Sequence, residues 1–213
     1  MRSAVILAGG SSRRLGAEKS LLEFEGRPLR CLTVEKLLQV TGEVIIVARD
    51  EDHAWCLKEL VGEQVSKPKA VFTWDSVSGF GPVAGLDAGM RCAKGRLAFA
   101  TGCDLPFLNL EVIDRLFDLA DVKEGYEAAV PVQPNGFLEP LHSVYDREKM
   151  LSACQRAMQK GERRIHVPLQ ELCVHRIPVQ LLRPLDPELL TFFNLNTPEE
   201  LKEARMIWSL GQR

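Results

Sequence analysis

Residues 3–19 read SAVILAGGSSRRLGAEK, and the passage changes character halfway. Ser3 to Ala8 is a short apolar run with β-branched Val5 and Ile6 at its centre. A run of this length, bounded by glycine, suits a strand buried on both faces, the kind found in parallel sheets. Gly9 and Gly10 end it, and Ser11, Ser12, Arg13, Arg14 and Lys19 follow. Glycines let the backbone come close to a ligand, and successive N–H groups in such a loop form a nest for an anion. With three cations beside the nest, a triphosphate is the natural guest. The loop lacks the GK[ST] ending of a Walker A motif and the GxGxxG spacing of dinucleotide folds.

Outward from this loop, apolar runs alternate with amphipathic stretches, which is the βαβ signature. Strands are predicted at 43–48 (EVIIVA), 70–74 (AVFTW) and 96–101 (RLAFAT), with 21–28 as a short extended turn-back. Helices are predicted from Pro28, with Leu29, Leu32, Leu37 and Leu38 on one face, and over 52–60 and 82–92. After residue 125 the pattern loosens. Strands at 127–132 and 141–145, a helix over 147–159 and a barely legible 161–187 precede a clear ending. There Thr197-Pro198-Glu199-Glu200 is a capping box with proline at the first helical position, and Leu201, Ala204 and Trp208 share the face of the helix it starts. The expected fold is α/β: one Rossmann-like, mostly parallel sheet with helices on both faces and an antiparallel elaboration in the C-terminal half. Residues 1–213 are expected to form a single domain, with 1–125 as a nucleotide-binding half and 126–213 as an acceptor-binding half.

The chain of 213 residues carries 27 basic and 29 acidic side chains, and 46% of it is hydrophobic. Those proportions are globular, and the near-zero charge argues against bulk nucleic-acid binding. The six cysteines form no CxxC pair and no zinc spacing, so they are expected to be buried free thiols of a reducing compartment. No apolar run approaches the ~20 residues a bilayer requires. A cytoplasmic protein is expected, with no membrane or nucleic-acid partner.

Open α/β sheets bind ligands beyond the carboxyl ends of their strands. Besides the first loop, two unusual segments fall there. In Thr101-Gly102-Cys103-Asp104-Leu105-Pro106 the carboxylate of Asp104 is placed to hold Mg²⁺, which takes hard oxygens from aspartate and substrate phosphates. Asp75, with Gly81 and Gly85 after it, suits close approach of a base or ribose.

Taken together, these segments resemble a known family. LAGGSSRRLGAEK, GPVAGL (81–86), CDLPFL (103–108), EPLHSVY (139–145) and FNLNTPEEL (193–201) are similar to the motifs of the MobA-like nucleotidyltransferases, the molybdenum cofactor guanylyltransferases, and touch both ends of the chain. The resemblance implies a nucleotide-diphospho-sugar transferase-like fold and GTP and molybdopterin as substrates. Leu7, Ala8 and Gly9 would lie against guanine, while Gly10 and Ser11 cradle phosphate. Arg14 and Lys19 would bind the triphosphate, Asp75, Gly81 and Gly85 the nucleoside, and Asp104 the Mg²⁺. Asn196, with Asn194 as the alternative, would complete the metal or acceptor side. Glu18 stands where the family commonly has Asp. Molybdenum-cofactor insertion proteins or molybdoenzymes are the implied transient partners. Cytidylyl transfer, another small phosphate acceptor, or a binding module without turnover are the competing readings. His142 is expected to be pocket wall, because transfer to an already ionised phosphate needs no proton shuttle.

Overall fold

The computed structural model describes residues 1–9, 23, 24, 26–62, 70–75, 77, 79–121 and 125–211. The strands are β1 (Arg2–Leu7), β2 (Glu23–Phe24), β3 (Arg27–Pro28), β4 (Glu43–Ala48), β5 (Ala70–Trp74), β6 (Leu97–Gly102), β7 (Ala128–Val132), β8 (His142–Asp146) and β9 (Val174–Pro178). The helices are α1 (Leu29–Val40), α2 (Glu51–Gly62), α3 (Pro82–Cys92), α4 (Leu110–Ala120), α5 (Arg147–Gln159), α6 (His166–Leu169) and α7 (Pro198–Gly211). β2 and β3 make the anticipated antiparallel turn-back.

The other strands form one sheet in the order β5-β4-β1-β6-β8-β7-β9. The four strands on the β5 side are parallel, and β8 runs antiparallel to both β6 and β7. β4 and β6 are buried along their whole length. That is why Val44–Ala48 and Leu97–Ala100 read as unbroken apolar runs rather than alternating ones. One face is covered by α1, α2 and α4, through Cys31, Val34, Leu37, Leu57, Val61 and Leu116. The other is covered by α3, α5 and α6, through Val83, Leu86, Met90, Met150, Cys154 and Leu169. Among the described residues, no helix is long and apolar enough to cross a membrane.

Some expectations need correction. The leucines of α1 do not share one stripe. Leu29 and Leu32 pack with Phe24, Leu195 and Ala204, whereas Leu37 and Leu38 face the sheet. Helix α4 was not anticipated, although Asn109 caps it by accepting from the N–H groups of Glu111 and Val112. All six cysteines are free, but Cys56 and Cys173 are exposed rather than buried. The final capping box forms as predicted. Glu200 N–H donates to Thr197 Oγ1 at 3.2 Å, and Thr197 N–H donates to Glu200 Oε2 at 2.9 Å. α7 then lays Trp208 edge-on against Phe24 at 5.4 Å.

Small residues bring α3 down onto the sheet. A Cβ on Gly89 would overlap Val5 Cγ1 and stand 3.1 Å from Val47 Cγ2. Both valines are β-branched and fully buried, so neither can swing aside. Replacing Gly89 by alanine gains about 1 kcal/mol of helix propensity. Overpacking costs about 1–3 kcal/mol, the larger effect, so Gly89→Ala is expected to lower the urea midpoint without changing the slope of the transition.

Candidate functional site

Register places the three central strands so that they end together. Leu7 of β1 stands opposite Val47 of β4 on one side and Gly102 of β6 on the other. Just past this level the chain leaves the sheet at Gly9, Arg49 and Asp104. A cavity of about 510 Å³ opens there, with Leu7 and Val47 in its floor and Asp75, Gly85, Asp104 and Leu141 around it.

Glycines create the space. A Cβ on Gly9 would come within 3.2 Å of the Arg49 backbone, a tight contact that would push the two strand ends apart by a few tenths of an ångström. A Cβ on Gly85 would stand 3.1 Å from Leu7 Cδ2 and 3.2 Å from Asp75 Oδ1. Gly81 has φ +95°, a left-handed conformation that favours glycine, and it leads into Pro82 at the start of α3. Gly81 and Pro82 both line the cavity, so the partially positive N-terminus of α3 opens onto it.

Two carboxylates reach this space. Asp75 follows β5, and its N–H donates to the Ala48 carbonyl at 3.2 Å. Burial among apolar neighbours pushes its carboxyl up to about 6. Asp104 folds back over β6, with Oδ1 2.5 Å from where a Gly102 Cβ would lie. Its backbone carbonyl accepts a hydrogen bond from Leu195 N–H at 2.9 Å. That bond sets Asn194 and Asn196 on either side of the Asp104 peptide. Asn194 is exposed and its Nδ2 donates to the Phe192 carbonyl at 3.1 Å, while Asn196 N–H donates to Glu200 Oε2 at 2.6 Å. Neither asparagine lines the cavity.

The other predicted positions divide clearly. Leu7, Gly9, Asp75, Gly81, Gly85 and Asp104 come together around the cavity. Ala8 does not, since it is buried in the core that includes Cys31 and Ala48. Gly10, Ser11, Arg13, Arg14, Glu18 and Lys19 lie outside the described residues. His142 is not pocket wall: it lies 2% exposed, behind the cavity-lining Leu141. Its ring is held edge-on to Phe99 at 5.1 Å and against Phe192 at 4.7 Å, with Nε2 3.1 Å from Thr191 Oγ1. Burial pushes its pKa down to about 3, so the imidazole is neutral.

Sequence reading missed Arg49 and Arg163, while the cavity-lining Leu141 lies within the EPLHSVY motif. Arg49 lines the cavity directly after a buried strand, the same signal that singled out Gly9 and Asp104. Arg163 stands at the rim, with its backbone carbonyl against Gly81 and its guanidinium 5.4 Å from the Phe80 ring centre. The pair Arg163-Arg164 in an otherwise illegible stretch was its only sequence signal.

Comparison with known proteins adds an independent finding. The family model of the MobA-like NTP transferase domain matches residues 4–172. The probable molybdenum cofactor guanylyltransferase of Methanosarcina mazei is 36% identical over 203 residues, covering 94% of this chain and 88% of that protein. The molybdenum cofactor guanylyltransferase of Desulfosudis oleivorans is 30% identical, covering 99% of this chain and 97% of its own. Among solved structures, the molybdopterin-guanine dinucleotide biosynthesis protein A of Archaeoglobus fulgidus superposes with a TM-score of 0.80 at 34% identity, covering 99% and 100% of the two chains.

The raised Asp75 carboxyl has a measurable consequence. Between the ordinary value of 3.8 and about 6, folded chains keep a proton that unfolded chains have lost. The contribution of this group to stability therefore declines as pH rises through that window. Asp75→Asn is expected to match the wild-type melting temperature near pH 4 and to exceed it above pH 6. Equal melting temperatures at pH 8 would show that Asp75 carries no such burden.

Proposed function

Because the chain belongs to the MobA-like NTP transferase family, we propose that it is a guanylyltransferase, moving GMP from GTP onto the terminal phosphate of molybdenum cofactor and releasing pyrophosphate. The observation that carries this reading is the single cavity that gathers Gly9, Asp75, Gly85 and Asp104 at the carboxyl ends of parallel strands. The names of the relatives supply the base and the acceptor.

The reaction forms a bond between an acceptor phosphate oxygen and the α-phosphorus of GTP, and breaks the bond from that phosphorus to the pyrophosphate oxygen. The nucleophile is already ionised at neutral pH, so no proton has to be removed. The neutral, buried His142 agrees with such a site, because it is not placed to act as a base. What the reaction needs is relief of repulsion between anions and stabilisation of charge on the leaving group.

Asp104 fits the role of metal ligand by the chemistry of its donors. Among the described residues, no group of three or more His, Cys, Asp or Glu side chains forms an all-protein cage. A carboxylate completed by substrate phosphates and water is the set Mg²⁺ ordinarily takes. Bound Mg²⁺ would supply charge neutralisation between the phosphates. Asp104 would hold it, and Asn196 or Asn194, which flank its peptide through the Leu195 bond without lining the cavity, would complete that side only by turning a side chain toward it. Arg14 and Lys19 would orient the triphosphate, and Asp75 would accept hydrogen bonds from the nucleoside. Arg163 at the rim would meet the charge of the acceptor.

The test is Mg²⁺-dependent pyrophosphate release from GTP and from CTP, each with and without molybdenum cofactor. Release requiring both GTP and cofactor is the expected result, and a preference for CTP would overturn the choice of base. Asp104→Ala and Lys19→Ala are each expected to lower turnover at least 10²-fold, about 2.7 kcal/mol of transition-state stabilisation. A folded variant of either kind that retained most of its activity would remove that residue from the mechanism.

A further inference from the structure

Helix α1 carries the chain from the far end of β1 back to the start of β4, and those strands are parallel. The helix therefore runs against them, and its first turn stands at the carboxyl edge, on the same side as the cavity. Among the described residues, that turn has no side-chain cap and no acidic residue of its own. Leu29, Arg30 and Cys31 are only 1%, 5% and 0% exposed, so water does little to satisfy it. Helix starts buried in this way normally find a capping partner.

The second residue of this helix is a cation. Arg30 is buried, and its Nε and Nη1 make no hydrogen bond among the described residues. Helical side chains lean toward the N-terminus, which directs the guanidinium out of the first turn toward the strand ends. Cys103, which lines the cavity, is among its electrostatic neighbours, together with Glu23 and Cys31. Desolvation pushes the pKa of the guanidinium below its ordinary value, so these neighbours do not offset its burial. A buried charge without a partner is strongly destabilising, and folding alone gives no reason to keep one. Arginine beside free backbone N–H groups at a helix N-terminus is an arrangement that suits phosphate.

We propose that Arg30 and the first turn of α1 form an anion site that takes a phosphate group of the substrates. The inference rests on the nucleotidyl-transfer reading above. Two sources share this chemistry: the polyphosphate tail that leaves as pyrophosphate, and the phosphate monoester of the acceptor. Either ligand would give Arg30 the partner that it lacks.

The experiment measures melting temperature and calorimetric affinity with inorganic pyrophosphate and with glycerol 3-phosphate, for wild type, Arg30→Met, Arg30→Lys and Arg30→Gln. Arg30→Met is expected to melt at or above the wild-type temperature without ligand and to lose at least about tenfold in affinity for one of the two probes. Loss for pyrophosphate assigns the site to the nucleotide tail, and loss for glycerol 3-phosphate assigns it to the acceptor. Unchanged affinity for both overturns the proposal, as does a wild type that binds neither. If the methionine variant does not fold, lysine against glutamine decides. Affinity kept by the charged variant and lost by the neutral one supports the site, and equal affinity overturns it. Pyrophosphate release from GTP by the wild type is followed in parallel. Its absence with Arg30-dependent binding intact would sink the proposed reaction alone, and its presence without such binding would sink the anion site alone.

Discussion

Strand β1 is hydrogen-bonded in parallel on both sides, and the rest of the molecule is arranged around that double ladder. With β4 and β6 in register beside it, Leu7, Val47 and Gly102 end at one level. All the loops that follow must then leave from the same edge. Parallel strands also have no exposed face, so helices have to cover both sides, and α3 can reach the sheet only because Gly89 presents no side chain to Val5. The cavity follows from this geometry. It is the gap left where three strands stop together and the covering helix begins at Gly81 and Pro82.

Buried polar groups near the two edges of the sheet include differently wired sets, although Arg147 Nε at the amino edge also makes no hydrogen bond among the described residues. At the amino edge, Ser3 Oγ donates to Glu43 Oε1 at 2.7 Å, and the same carboxylate accepts from Lys94 N–H at 2.6 Å. Gly95 N–H closes this network on Ser3 Oγ at 2.8 Å. At the carboxyl edge, Asp75 is desolvated, and among the described residues His142 Nδ1 has no partner and Arg30 keeps idle donors. Folding stability favours the first kind of wiring, because each satisfied group avoids a desolvation penalty. The second kind is what a surface shaped for polar guests retains.

Much of this was legible in the sequence, for reasons visible in particular residues. VIIVA (44–48) and AVILA (4–8) are apolar throughout because those stretches are buried on both faces, and the glycines after AVILA stand out for want of side chains. Asp75, Gly81, Gly85 and Asp104 were found because each follows a strand or opens a helix, so position along the chain translated directly into position in space. Strand β9 was not legible, since Val174–Pro178 lies at the edge of the sheet and mixes His175, Arg176 and Pro178 with Ile177. Arg163 was missed for a related reason: it reaches the rim through a tertiary contact with Phe80 that no local pattern announces. His142 was misplaced because its neighbours Phe99 and Phe192 come from distant parts of the chain. Arg30 gave no signal at all, as an arginine on a helix is ordinarily a solvated one.

The hydrogen bond from Leu195 to the carbonyl of Asp104 also bears on the order in which the molecule is made. Synthesis delivers β1, β4, β5 and β6 first, and the ladders that join these four to one another use no later strand. The peptide of Asp104 receives its partner only once the segment before α7 has emerged, and Trp208 then fastens that segment against Phe24. A growing chain therefore holds the floor of the cavity well before it holds the Asp104 wall. The wall is set only near the end of translation.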